Sequence, residues 1–315
     1  MNLPIDKNDD FLLELLNDLE GSYPKGYDKH NPDKGNWQTA RITLINLKKS
    51  LDLNGRPADL TPEAATILGY LDWFIAQSYR FNNPPDFKNS EQYFLRSRNV
   101  FEMKEDLWNL IWTDGYMADL YVESGECNQA LEKINQSIQT ATTGEFESFD
   151  DQDHEVISQS YRVLGDAYWS AKDLGKAFQA YFQAAFQVFA FNVIPEDPDK
   201  YTTTLYASVC EHITKRIFEL WLAGEEKASL QAAECIRGRW KLYWDQTGVA
   251  PDPSDLRKCL EEKNMAGMTA RLFPPSPVTR SEIKRIVGLT EEMRQAVENL
   301  AIVPISTMNS EFPKI

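Results

Sequence analysis

Small and aromatic residues follow a fixed spacing between residues 158 and 191. Leu164-Gly165 lies in a stretch with helical periodicity, and Ala177 lies at the start of a second such stretch. Two antiparallel helices can approach closely only where their facing side chains are small, because a larger side chain pushes them apart. The spacing therefore predicts a helix pair over about 154–172 and 174–192 that crosses at Gly165 and Ala177.

The same spacing recurs in weaker form on both sides of this pair. Residues 111–144 contain Gly125 in a predicted turn and Ala130 at the small position. Residues 210–243 carry Arg216 where the spacing calls for Leu and Ser229 where it calls for Ala. Other stretches have helical periodicity, and no segment alternates as a strand does, so we expect an all-α fold. The other predicted helices lie at about 10–19, 36–52, 61–82, 89–102, 105–124, 126–141, 199–223, 225–246, 254–268, 281–287 and 290–301.

This pattern resembles the helix-turn-helix consensus of the tetratricopeptide repeat family. The resemblance spans about residues 60–245, and it implies an α-solenoid of antiparallel helix pairs, a superhelix with a short helical C-terminal segment. Its small-residue anchors lie 47 residues apart (Ala130 to Ala177) and then 52 apart (Ala177 to Ser229), whereas the family repeats about every 34 residues. The alternative is a non-repetitive helical bundle. The residues that carry the resemblance are Tyr161, Leu164, Gly165, Tyr168, Ala177, Tyr181 and Ala184, with Gly125 and Ala130 in the weaker unit.

Three regions are expected along the chain. Residues 1–60 hold N-terminal helices that pack on the array, and residues 61–248 hold the repeats. Residues 249–315 form a linker followed by helices that either cap the last hydrophobic face or dock elsewhere, because the terminal repeat of an array needs a cover.

The charge of the chain limits its partners. Its 48 acidic and 33 basic residues give a formal net charge of −15, which disfavours direct binding to nucleic acid and to anionic membranes. The field attracts a basic protein surface instead, although the same charge also serves solubility. Without a secretory signal, a long apolar run or a CxxC pair, we expect a cytoplasmic protein with reduced cysteines.

The family resemblance also implies where a partner binds. In such repeats the first helix of each pair lines a concave groove, and the positions that correspond here include aromatic and acidic side chains. We expect a partner segment with apolar anchors and basic residues between them, unless these rings pack against a neighbouring helix instead. The predicted groove residues are Trp112, Asp119, Val122, Gln159, Arg162, Asp166, Trp169, Phe218 and Trp221.

The residue types give no indication of catalysis. The chain has no Gly-rich phosphate loop, no GxSxG elbow and no pair of histidines at i and i+4. We therefore predict no catalytic residues, no metal, no cofactor and no small-molecule substrate. The sequence favours a non-catalytic scaffold or adaptor. The alternative is a regulatory sensor, in which the solenoid binds a small ligand or peptide and the C-terminal segment responds.

Bulky side chains at the predicted crossing should separate the two helices. We expect Gly165→Leu and Ala177→Phe each to lower the free energy of unfolding by roughly 1–3 kcal/mol or more, since overpacking a close contact forces backbone shifts. Chemical denaturation of each variant measures this loss. Unchanged stability in both variants would mean that these residues do not lie at a helix crossing.

Overall fold

The computed structural model describes residues 37–50, 60, 62–143, 151–191, 200–241, 243–244 and 254–275. Within these ranges the chain forms helices and no strand, which confirms the expected all-helical fold. The predicted helices over 10–19, 281–287 and 290–301 lie outside the described residues. The helices are α1 (Trp37–Ser50), α2 (Pro62–Arg80), α3 (Phe87–Met103), α4 (Leu107–Ser124), α5 (Cys127–Thr143), α6 (Asp151–Ser170), α7 (Leu174–Phe191), α8 (Lys200–Leu222), α9 (Glu226–Arg239), α10 (Ser254–Glu261) and α11 (Met265–Leu272).

The helices group into two compact units, Met1–Gly144 and Glu145–Ile315. In the first unit α1 packs on α2, α2 on α3, α3 on α4 and α4 on α5. In the second unit α6 pairs with α7 and α8 with α9, while α10 and α11 pack on each other and on α9. α11 also packs on α8. Within each unit, helices adjacent in sequence are thus packing neighbours. The boundary between the units falls inside the predicted 61–248 array.

One turn geometry joins successive helices at five places in the described chain. At each turn one residue has a left-handed backbone, with φ between 53° and 84°. The next residue's N–H donates to the carbonyl five residues earlier, over 2.8–2.9 Å. This bond satisfies a carbonyl that the end of the helix would otherwise leave without a donor. The left-handed residues are Glu105, Gly125, Lys172, Gly224 and Lys263.

Residue types around these turns explain where the next helix begins. Asp106 and Asn264 each accept a hydrogen bond from a backbone N–H in the first turn of the following helix, and Asp173 does the same for Lys176. Such caps stabilise a helix start by about 1 kcal/mol.

The Lys263 turn also corrects one expectation, because the single helix predicted near 254–268 is two helices, α10 and α11. Lysine tolerates the left-handed backbone there, so the turn lacks the glycine that would have marked it.

A buried serine connects the two helices of each of four pairs. In every case its hydroxyl donates to a backbone carbonyl of the facing helix, and the serine is 0% exposed. A hydroxyl can reach a facing backbone only where the two helices lie close together. These bonds run from Ser90 to Ala76 over 2.9 Å, from Ser137 to Ile111 over 3.1 Å, from Ser158 to Ala184 over 2.9 Å, and from Ser229 to Ile217 over 2.9 Å.

The crossing of α6 and α7 places Gly165 against the ring of Tyr181. A Cβ atom on Gly165 would lie 2.3 Å from two carbons of that ring, so even alanine at position 165 would displace the ring. Ala177, at the start of α7, is fully buried. The side chain of Tyr181 fills the space that glycine leaves open, which explains how a large ring fits into a close helix crossing.

An aromatic cluster forms the core between α7 and the end of α9. The Trp240 side chain is fully buried. Its ring centre lies 5.0 Å from the ring centre of Phe189 and 5.3 Å from that of Phe182. Edge-to-face contacts of this kind add to the stabilisation from buried apolar area.

Nowhere in the described ranges is a helix both long and apolar enough to span a bilayer.

A reciprocal exchange tests the shared turn geometry. Gly125→Lys should lower the free energy of unfolding by about 1–2 kcal/mol, because a side chain disfavours the left-handed backbone. Lys172→Gly should leave stability unchanged or raise it by less than about 1 kcal/mol, since relieved strain is offset by the greater freedom of glycine in the unfolded chain. Denaturant titrations of both variants measure these changes. Equal losses in the two variants would contradict a common turn.

Candidate functional site

The predicted groove residues fall at equivalent places before the turns in α4, α6 and α8. Trp112, Asp119 and Val122 belong to the first unit and the other six to the second. Exposure divides the nine into two groups. Asp119, Asp166 and Phe218 are buried, whereas the half-buried residues are Trp112, Val122, Gln159, Arg162, Trp169 and Trp221.

Asp166 forms the centre of a hydrogen-bonded cluster in the second unit. Its Oδ1 accepts from Tyr181 Oη over 2.7 Å, from Arg216 Nη2 over 2.7 Å and from His212 Nε2 over 3.0 Å. Its Oδ2 accepts from Arg162 Nη1 over 2.7 Å. One carboxylate on α6 therefore contacts its own helix, α7 and α8, and it is only 3% exposed.

The charges in this cluster determine its protonation states. Burial alone would raise the pKa of Asp166, but His212 and the two guanidinium groups outweigh burial and hold that pKa well below its usual range. Burial lowers the pKa of His212, and Arg162 and Arg216 lower it further against the opposing effect of Asp166. A neutral imidazole must carry its proton on Nε2 here, because the ionised carboxylate can only accept.

Arg216 and Tyr181 are held by the same carboxylate. Burial raises the pKa of Tyr181 well above its ordinary value, as does the charge of Asp166, so the phenol remains a donor. Arg216 also pairs with Glu219 over 2.8 Å, and its guanidinium carbon lies 5.2 Å from the centre of the Trp169 ring. The cluster thus fixes the position of an arginine that covers a half-buried indole.

The first unit has an ionic contact at the corresponding place. Arg80 on α2 donates to Asp119 on α4 over 2.6 Å and to Glu123 over 2.7 and 2.8 Å. Its side chain is 1% exposed, and the two carboxylates raise its pKa despite burial. Asp119 and Asp166 therefore both neutralise arginines on a neighbouring helix, and neither presents a free negative charge to solvent.

Three of the half-buried residues in the predicted groove are tryptophans. Trp169 packs edge-on against Phe178 with ring centres 6.1 Å apart. Trp221 lies under Arg257, whose guanidinium carbon is 5.7 Å from the ring centre. In the first unit Trp112 stacks on Tyr116 at 5.7 Å and contacts Trp108 edge-on at 5.8 Å. These indoles combine core packing with partial exposure.

Two features of the described side chains bear on their reactivity. Among them no group of three or more His, Cys, Asp or Glu residues could hold a metal ion. Burial raises the pKa of the Cys210 thiol, as it raises that of Cys235 to about 11. Both thiols are therefore protonated at neutral pH and are poor nucleophiles.

Sequence reasoning found the two aspartates but not their partners. His212, Tyr181 and Arg80 had no predicted contact with them, since those contacts join residues 15 to 46 positions apart. One signal was present in the sequence. Arg216 occupies a position where the repeat pattern has leucine, and in the structure its side chain reaches Asp166. A charged residue at an apolar position of a repeat thus indicated a buried partner.

Comparison with known proteins adds no assignment. No protein-family model matches the chain. A search of curated proteins found no significant match.

Removing the charge of Asp166 should destabilise the second unit strongly. Asp166→Asn leaves Arg162 and Arg216 without their shared anion, and we expect a loss of about 3 kcal/mol in the free energy of unfolding. Glu219→Gln is the matched control, because Glu219 is partly exposed and its pair with Arg216 should contribute less than about 1 kcal/mol. Urea denaturation at pH 7 measures both changes.

The pH dependence gives a second readout. The pKa of Asp166 is lowered by folding, so its stabilisation is complete above the usual carboxyl pKa and is lost as pH falls through the lowered value. The difference between wild type and Asp166→Asn should therefore shrink in strong acid. A loss at pH 7 no larger than that of Glu219→Gln would contradict a central role for this carboxylate.

Proposed function

We propose that this chain is a tetratricopeptide-like solenoid that acts as a non-catalytic interaction protein. Two structural features support the proposal. Within each unit consecutive helices pack on one another, and five of the connections share a left-handed turn. Small residues such as Ala130 and Ala177 are buried at equivalent places after those turns. In arrays of this kind each helix pair covers its neighbour, and the first helices present a continuous face.

The observation that carries the function is the half-exposed indole that recurs on that face. Trp169 and Trp221 both lie three residues before the left-handed residue of their turn, in α6 and α8. Each is overlaid by an arginine from the neighbouring helix pair, Arg216 or Arg257. Partly exposed tryptophans held rigidly beside polar groups are the side chains that most often anchor a protein partner.

The proposed partner is a protein segment with apolar anchors and basic residues. The formal charge of −15 favours encounter with a basic surface. The acidic residues of α8 are Glu211, which is exposed, and Glu219, whose side chain is 35% exposed. Asp119 and Asp166 contribute little to this attraction, because arginines already neutralise them. We also propose a cytoplasmic location, because the four cysteines are widely spaced and include no CxxC pair, as is typical of reduced thiols.

A peptide-display selection on the intact chain tests this proposal. We expect enriched peptides to combine an aromatic or aliphatic anchor with Lys or Arg, and their binding to weaken as salt rises. Trp169→Leu and Trp221→Leu keep apolar packing but remove the indoles, and each should weaken binding of a selected peptide about tenfold or more. Fluorescence anisotropy with labelled peptide measures the affinities.

Leu222→Ala is the matched control for these variants. Leu222 follows Trp221 directly and is 66% exposed. Its substitution therefore measures how much nonspecific binding to exposed apolar surface contributes to the affinity for the peptide. Its substitution should leave the affinity within about twofold, because isolated exposed apolar residues rarely contribute to a specific interface. Selections that yield acidic peptides, or binding that survives both tryptophan variants, would refute the proposal.

A further inference from the structure

His212 connects α8 to the buried carboxylate of α6. Its Nε2 lies 3.0 Å from Asp166 Oδ1, and its ring packs edge-on against Tyr181 with centres 5.5 Å apart. The side chain keeps 22% of its surface exposed. The imidazole thus fills the junction where α6, α7 and α8 meet, and water can reach it.

We propose that His212 makes the junction between α6 and α8 acid-sensitive: its neutral imidazole holds the junction closed, and protonation of Nδ1 loosens it. Asp166 already shares its single negative charge between Arg162 at 2.7 Å and Arg216 at 2.7 Å. A protonated His212 is a third cation on the same carboxylate. Like charges held within a few ångströms in a partly buried site repel each other strongly.

The groups that face the ring from each neighbouring helix are consistent with this inference. α6 supplies Asp166 and Arg162, α7 supplies the phenol of Tyr181, and α8 itself supplies Arg216, which Glu219 also contacts. The other helices packed on α8 meet it elsewhere, through the bonds from Ser229 to Ile217 and from Thr269 to Thr214.

One arginine on α9 and one on α11 have partners away from the ring. Arg239 lies over Phe182, and Arg271 pairs with Asp255. Asp166 is thus the carboxylate in direct contact with the imidazole among the described residues, and it must serve both arginines as well.

The expected pKa of His212 agrees in direction with the geometry. Burial lowers it first, and the two arginines lower it further, whereas Asp166 raises it. Because the folded protein then binds fewer protons at this site than the unfolded chain, stability is full above the ordinary histidine pKa of about 6.5 and declines as pH falls below it. A histidine whose charged form is stabilised by a carboxylate alone would give the opposite pH dependence of stability.

Loosening this junction would affect the face that carries Trp169. Arg216 is bound to Asp166 and overlies the Trp169 ring, so a displaced α8 would uncover or reorient the indole. The acid-sensitive junction itself is independent of the proposed binding function, because it follows from contacts within the second unit.

Proton NMR of the full-length chain tests the inference directly. His30 and His154 are the other histidines in the sequence, and the spectrum of His212→Gln assigns the His212 ring signal in the wild type by difference. We expect its titration midpoint to lie below about 6.5. A midpoint at or above that value overturns the proposal without requiring a functional variant.

Hydrogen exchange supplies the structural readout. Between pH 7.5 and 5.5 the opening of α8 amides in the wild type should increase relative to His212→Gln, in which glutamine can still donate to Asp166 but cannot gain a proton. The ratio of the exchange rates of the two proteins, measured at the same pH, cancels the intrinsic exchange rate of each amide. The change in this ratio should be at most about tenfold, because pH 5.5 lies about one unit below the ordinary histidine pKa of about 6.5.

The variants separate the possible outcomes. His154→Gln serves as the matched control and should retain the wild-type pH dependence. Equal acid sensitivity of wild type and His212→Gln overturns the proposal. If the peptide selection fails while this ratio changes as expected, the junction is acid-sensitive and the proposed binding function is wrong.

Discussion

The left-handed turn is the constraint on which the rest of this structure depends. It reverses the chain within a few residues and fixes the rotation of the next helix about its axis. That rotation determines which residues face the partner helix, so a buried small residue follows three of these turns at the same distance. Ser229, for example, lies five residues after Gly224, as Ala177 does after Lys172. Without this shared geometry, the same side chains would face solvent or collide.

Ionic contacts join the first helices of neighbouring pairs in both units. Arg80 and Asp119 join α2 to α4, and Arg216 and Asp166 join α8 to α6. A buried ion pair is a poor source of net stability, because desolvation offsets much of its attraction. It is nevertheless demanding in geometry, since a small displacement leaves charges without partners. These pairs therefore define how one helix pair sits on the next within each unit.

The sequence allowed much of the fold to be predicted. Helical periodicity, glycine at a turn and small residues at a crossing are local signals, and they located most helices correctly. The turn at Lys263 escaped notice because lysine is uncommon in a left-handed backbone. The site was predicted less well, for a physical reason. Asp119 and Asp166 were recognised as acidic positions, but their partners come from other helices, and sequence spacing does not indicate which long-range pairs form.

The neutralised aspartates change how the acidity of the chain should be understood. A formal charge of −15 describes the whole molecule, whereas the cluster around Asp166 contains as many guanidinium groups as carboxylates when Glu219 is included. Long-range attraction and local contact are therefore separate properties. We expect the overall charge to govern the association rate of a basic partner, and the half-buried indoles to govern its dissociation rate. Protonation of His212 would give this otherwise neutral cluster a net positive charge, because two guanidinium groups and an imidazolium would then face two carboxylates.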